Sequence, residues 1–210
     1  MFEEMAKLAG AVTREVRNAE REGKPVRIVV AARDYDTTLE DLWDAITSAE
    51  RLKRWFAPVS GEFKLGGRYK IEGNASGTVT RCEPPRALDL TWEFGGGVSW
   101  VEVALRPAGE GARLELRHIA PVDPHWERFG AGATGVGWDL GLMGLARHIE
   151  NPAAEKPPEA DPAWMGSAEA KHFIRLSSGG WGEAEIAAGG DKAAARAAAE
   201  ETRKFYSGEA

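Results

Sequence analysis

His118 is the side chain whose type and position most plainly invite chemistry. It closes the run R-L-E-L-R-H (113–118), in which Leu114, Leu116 and His118 alternate with Arg113, Glu115 and Arg117. On a β-strand that alternation puts the imidazole on the apolar side. An imidazole titrates near pH 6.5 when unperturbed, about, so His118 is readable as an acid/base or hydrogen-bonding group of a pocket. It is equally readable as a core histidine held by a backbone carbonyl. Arg81 carries a similar pair of readings: anchor for a ligand carboxylate, or solvated arginine on a sheet face. The other chemistry is exclusion. The four histidines have no H-x-x-x-H or H-x-H spacing and Cys82 is the single cysteine, so neither a zinc ligand set nor an internal disulfide is available. There is no G-x-S-x-G and no P-loop; Gly95-Gly96-Gly97 reads as a hairpin tip. His125, in P-V-D-P-H-W-E, reads as a loop residue at the surface. No cofactor and no metal are implied.

Aromatic residues are the second candidate set. The chain has eight tryptophans in 210 residues. Trp55 and Phe56 end a short helical pattern, Trp92 falls on the inward phase of a strand, and Trp138 opens a helical stripe. With apolar neighbours they define a candidate ligand-lining set of Trp55, Phe56, Trp92, Val101, Val103, Leu116, His118, Trp138 and Leu142, and each of them also has a plain reading as core. Trp100 sits on the water-facing phase. With Trp126 and Phe129 it is a candidate docking point for the tail or for a protein partner.

These residues need elements to hold them. Trp138, Leu142, Leu145 and Ile149 recur at helical spacing, predicting a long helix over 134–151 with Gly137, Gly141 and Gly144 as an adjacent stripe. Three glycines inside a helix, each costing up to about 1 kcal/mol against alanine, imply a tight approach or deliberately empty volume; the stripe faces either the cavity mouth or, as the favoured expectation, the tail through Trp164 and Phe173. Asp139, Ala146, Arg147 and Glu150 are expected to face solvent. Between Ser60 and Ala120 the period is two and turns arrive every eight to twelve residues, predicting strands at 61–65, 68–72, 76–82, 87–94, 99–107 and 112–120. One-faced alternation in consecutive hairpins predicts an antiparallel meander with a covered side. Before it lie a strand from Pro25, V-R-I-V-V-A-A-R-D-Y, and helices from Thr38 to about Ser48 and over 49–55. Residues 1–22 read as an amphipathic helix through Phe2, Met5, Leu8, Ala9, Val12 and Val16. After Asn151-Pro152 comes a polar, proline-rich linker, then a helix ending at Gly179-Gly180, a short one over 181–188 and a last one after Gly190-Asp191. The tail's Trp164, Phe173, Ile174, Trp181 and Phe205 are expected to be buried.

This order resembles a known family. L-E-D-L-W-D-A-I-T-S-A-E-R-L-K-R-W-F-A-P (39–58), L-G-G-R-Y (65–69), G-T-V-T-R-C-E-P-P-R-A-L-D-L-T-W-E-F (77–94), the strand ending at His118 and G-W-D-L-G-L-M-G-L (137–145) resemble proteins similar to the C-terminal domain of the activator of heat-shock-protein-90 ATPase. That family lies within the START-like, birch-pollen-allergen-like helix-grip superfamily, also called SRPBCC. The resemblance spans about 26–150. It implies an α+β helix-grip fold: a curved antiparallel sheet of six to seven strands around a long C-terminal helix, with a hydrophobic cavity between them. The expected division is an N-terminal helix over 1–25, a helix-grip domain over 26–151 and a helical extension over 152–210, the last similar to extensions of bacterial members. The resemblance does not imply heat-shock-protein binding here, because the co-chaperone carries a separate N-terminal domain and 25 residues precede the first expected strand in this chain.

Three function classes follow. The first is a carrier or sensor of a small lipophilic molecule held by the lining set. The second is a cyclase-, dehydratase- or hydrolase-type enzyme using His118. The third is a protein-interaction or regulatory module, homodimer included, whose cavity is filled. The formal charge of -6 is spread along the chain with no basic block, so nucleic-acid and anionic-membrane binding have no electrostatic footprint. No window is apolar enough to span a membrane. One cysteine and an acidic N-terminus without an apolar core segment lead to the expectation of a reducing cytoplasm.

Overall fold

The computed structural model describes residues 2–154 and 161–209. Its elements in chain order are α1 (Phe2–Gly10), β1 (Thr13–Arg21), β2 (Lys24–Tyr35), α2 (Leu39–Thr47), α3 (Ala49–Trp55), β3 (Val59–Gly61), β4 (Arg68–Ile71), β5 (Ser76–Glu83), β6 (Ala87–Phe94), β7 (Gly97–Ala108), β8 (Gly111–Pro121), α4 (Pro124–Phe129) and α5 (Gly132–Glu150). A 3-10 turn (Pro162–Gly166), α6 (Ala168–Ala187) and α7 (Lys192–Tyr206) complete the chain. The strands form an eight-stranded antiparallel sheet in the order β1-β2-β8-β7-β6-β5-β4-β3. The class is α+β, of the helix-grip kind expected, with one strand more than expected.

That strand corrects the reading of 1–22 as one helix. α1 stops at Gly10 and T-R-E-V-R-N-A-E-R (13–21) is extended. Its alternating burial, with Val16 the buried residue, belongs to a strand at the end of the sheet order, where charged side chains are tolerated and discourage further pairing. Glu22 and Gly23 have φ of +53° and +74°, the backbone of a two-residue hairpin turn that matches strand twist. The pairing this turn provides overrides the helical propensity of Arg, Glu and Ala. Other differences are smaller. The first meander strand is Val59–Gly61 instead of 61–65. α6 runs unbroken through Gly179-Gly180. The proline-rich linker lies largely outside the described residues, at 155–160.

Two compact units divide the chain: Met1–Ala31 with Pro121–Met143 and Pro158–Ala210, and Ala32–Ala120 with Gly144–Pro157. The first is helical in its core. Met5, Leu8 and Ala9 of α1 pack with Met143 of α5 and Phe173 of α6, and Leu140, Trp164 and Leu176 lie against them. Ile174 and Trp181 are fully buried, while Phe205, expected inside, is 55% exposed. Asp139, expected in solvent, is 0% exposed. Its Oδ2 accepts hydrogen bonds from Arg14 Nε at 2.8 Å, Ser177 Oγ at 2.5 Å and Trp181 Nε1 at 3.1 Å. Ala146, likewise expected in solvent, is buried.

The helix glycines do meet tail aromatics, through other residues than Trp164 and Phe173. A Cβ at Gly135 would run into the Trp181 indole, and one at Gly137 would lie 3.1 Å from the Tyr206 hydroxyl. Gly144 belongs to the second unit, where a Cβ would stand 2.6 Å from the carbonyl oxygen of Trp55. There the missing side chain admits the end of α3.

Candidate functional site

The second unit carries the meander, and its register places the candidate residues in rows. Leu90 of β6 pairs with Val101 of β7, and Val101 pairs with His118 of β8; Leu88, Val103 and Leu116 form the next row. Trp92 pairs with Ser99 one step toward the hairpin tip. Directly paired residues share a face, so Trp92, Ser99, Val101, Val103, Leu116 and His118 line one side of the sheet. Val101, Val103, Leu116 and His118 are buried; Trp92 and Ser99 are half-buried. The reverse face is salt-bridged: Arg117 pairs with Glu115 at 2.7 Å, and Arg113 with Asp34 of β2 at 2.8 Å.

His118 is therefore inward, as its phase predicts, and it has a polar companion that the sequence did not announce. Its Nε2 lies 2.8 Å from Ser99 Oγ, and the Ser99 hydroxyl donates to the carbonyl of Trp92 at 3.3 Å. Which of His118 and Ser99 donates to the other follows the imidazole tautomer. The Trp92 ring stands edge-on to the imidazole at 6.0 Å. Burial pushes the His118 pKa down to about 4, because desolvation penalises the imidazolium. At neutral pH His118 is a neutral hydrogen-bonding group set in an apolar face.

Trp55 and Phe56 close α3 with their rings 5.5 Å apart, and Trp55 Nε1 donates to the carbonyl of Ala45 at 3.0 Å. Both are half-buried. Trp138 and Leu142 fall in the first unit, half-buried and buried respectively. Arg81, the candidate carboxylate anchor, is on the outer side: its guanidinium is held by Glu83 at 2.6 Å and approaches Asp89 at 4.0 Å. His125 is exposed, with its ring 4.8 Å from that of Phe129. Trp100 is half-buried, and Trp126 and Phe129 are buried.

Sequence reasoning missed Arg33. Its neighbour Asp34 points outward to Arg113, so by alternation Arg33 and Tyr35 point inward, to the side occupied by Leu114, Leu116 and His118. Arg33 is 8% exposed, with its guanidinium carbon 5.5 Å from the Tyr35 ring centroid. Its Nε and Nη1 are buried and have no hydrogen-bond acceptor among the described residues. The second unit also contains a polar cluster around Arg51. Arg51 donates to His148 Nε2 at 3.0 Å and to Asp41 Oδ1 at 2.7 Å, and Asp44 Oδ2 lies 3.2 Å away. Hydrogen bonding to Arg51 holds the Asp41 carboxyl below the usual range, while burial lowers the His148 pKa. This cluster ties α2 and α3 to the end of α5, with Arg51 Nη2 buried and without a partner among the described residues. Among the described residues no group of three or more His, Cys, Asp or Glu is placed to hold a metal ion, and no helix is long and apolar enough to cross a membrane.

The family model for Activator of Hsp90 ATPase homolog 1-like protein matches residues 36–150. The chain belongs to that family. Among solved structures it is similar to CalU16 from Micromonospora echinospora, at 28% identity over 83% of this chain and 98% of that one, with a TM-score of 0.66. DynU16, from the dynemicin biosynthetic locus, is 21% identical over 62% of this chain and 51% of that one, with a TM-score of 0.55. The Aha1 dimer from Colwellia psychrerythraea is 14% identical over 60% of this chain and 98% of that one, at a TM-score of 0.51. The last two share the fold alone. No functionally curated protein matches the chain.

Proposed function

We propose that this protein is a cytosolic carrier or sensor of a small lipophilic molecule, held on the inward sheet face of its second unit. The observation that supports this reading most is the apolar field of Val101, Val103 and Leu116 interrupted by one polar pair, His118–Ser99. Ligand sites are mostly apolar with a few convergent polar groups that fix orientation. Trp92 flanks the pair and gives a flat aromatic edge to the same face. Trp55 and Phe56 are the proposed lining contribution of α3. A histidine held neutral near pH 7 suits hydrogen bonding to a ligand carbonyl or hydroxyl better than proton transfer. That weighs for binding over a cyclase- or dehydratase-type reaction.

A ligand that binds only the folded state raises the melting temperature by mass action. Thermal shift across a panel of aliphatic and aromatic lipophiles, with native mass spectrometry of freshly isolated protein, is the test. The expected result is a concentration-dependent rise with a subset of the panel and a bound adduct in the native spectrum. A flat panel together with a bare mass would remove the reading.

A further inference from the structure

Arg33 is a buried cation without a counter-ion. Among the described residues no carboxylate lies within ion-pairing distance of it, and two of its guanidinium nitrogens are enclosed without an acceptor. Buried charges in proteins are paired or coordinated, because taking an ion out of water costs several kcal/mol or more. The nearby carboxylate of Asp34 is spent on Arg113 across the outer face. The contact Arg33 does make, the Tyr35 ring at 5.5 Å, is a stacking interaction that leaves the buried Nε and Nη1 donors unused. Tyr35 is itself buried, and that burial raises its phenol pKa, so it supplies no phenolate near neutral pH. No described residue of the chain supplies an acceptor for these donors.

Resting on the carrier reading above, we propose that the ligand is an amphiphile with an anionic oxyanion head, a carboxylate in the first instance. Arg33 binds the head, while the apolar rows of β7 and β8 take the body and His118–Ser99 contacts it. A guanidinium presents a planar, permanently charged donor set matched to a carboxylate. This assigns Arg33 the anchoring role, while Arg81, which the sequence offered for it, is held by Glu83 on the outer face.

The probe pair is dodecanoate and 1-dodecanol, matched in chain and differing in the head, titrated calorimetrically at neutral pH and submicellar concentration. Acetate is the third arm, testing whether a small anion suffices. The expected result is that dodecanoate binds wild-type protein at least about tenfold more tightly than dodecanol, the ratio for one charge-assisted contact, and that acetate binds negligibly. Arg33→Gln and Arg33→Met should each bring the ratio close to one while dodecanol affinity stays within about threefold. Equal affinities in the wild type, or an unchanged ratio in the variants, would overturn the assignment of Arg33 and leave the carrier reading standing. Acetate binding as tightly as dodecanoate would make the site a small-anion site and overturn the amphiphile. No binding of either chain would overturn the anionic amphiphile and leave the carrier reading to the thermal-shift panel. The wild-type comparison decides the matter even where a variant fails to fold.

Discussion

Arg14 and Arg33 are both withdrawn from water, one in each compact unit, and their surroundings differ. Arg14 ends on Asp139, and the same carboxylate oxygen also takes the Ser177 hydroxyl and the Trp181 indole. Arg14 donates further to the carbonyls of Ala9 and Val12. Burial pushes the Asp139 pKa up, against the opposing pull of Arg14 and these hydrogen bonds. Oδ1 carries no hydrogen bond, yet the charge itself is met. Four segments, α1, β1, α5 and α6, converge on this knot. Arg33 stands on the inward sheet face with a ring beside it and no anion among the described residues. The first arrangement closes on itself and holds the tail in place; the second leaves Nε and Nη1 of Arg33 without an acceptor among the described residues. A buried charge indicates function when its partners are missing, and not when it is merely buried.

The largest effect should come from opening the closed knot. Arg14→Ala leaves the Asp139 carboxylate buried and unpaired, and should lower the stability measured by urea unfolding by about 3–5 kcal/mol. A loss under 1 kcal/mol would mean that the knot contributes little to the first unit.

The pH dependence sharpens the contrast from the second unit. The folded pKa of His118, about 4, lies below the unfolded value. Between the two the unfolded chain binds more protons, so stability is present above about pH 6.5 and is lost as the pH falls toward 4, by roughly 3 kcal/mol. Urea midpoints at pH 7, 5 and 4 for wild type and His118→Gln check this; the wild-type loss should exceed the variant's. Parallel profiles would show that the imidazole is not held neutral.

Packing at the knot is tested by two alanines. Gly135→Ala drives a methyl group into the Trp181 indole and should cost about 1–3 kcal/mol by overpacking. Gly179→Ala in α6, where nothing lies within 4 Å, should instead stabilise by up to about 1 kcal/mol through helix propensity. Thermal melts of the two variants should move in opposite directions.

The sequence made some of this legible and hid the rest for identifiable reasons. The meander was readable because β6, β7 and β8 alternate cleanly, and direct pairing of Val101 with His118 is what that alternation requires. Burial of Phe173, Ile174 and Trp181 followed from aromatic and branched residues too large to leave in water. β1 was hidden because its residues are helix formers with few apolar side chains, and the Glu22–Gly23 turn was its sole local sign. Asp139 was hidden because helical spacing shows one surface of α5, whereas the carboxylate's partners, Arg14 and Ser177, stand 125 and 38 residues away. Arg33 was hidden because Val29, Val30, Ala31 and Ala32 are all buried; a strand covered on both sides has no alternation from which to phase an arginine. Ser99 was lost as one small polar residue in an apolar row.

The contrast between the two arginines is tested most directly by the ligand-free melting temperatures of Arg14→Met and Arg33→Met, measured side by side. Methionine keeps most of the apolar stem and removes the charge. The expected result is a fall for Arg14→Met and a rise for Arg33→Met, the latter of about 1 kcal/mol or roughly 2–4 °C, because an unmet buried charge is a cost that the proposed ligand would offset. A fall in both would make Arg33 a structural residue held by Tyr35 and would contradict the account.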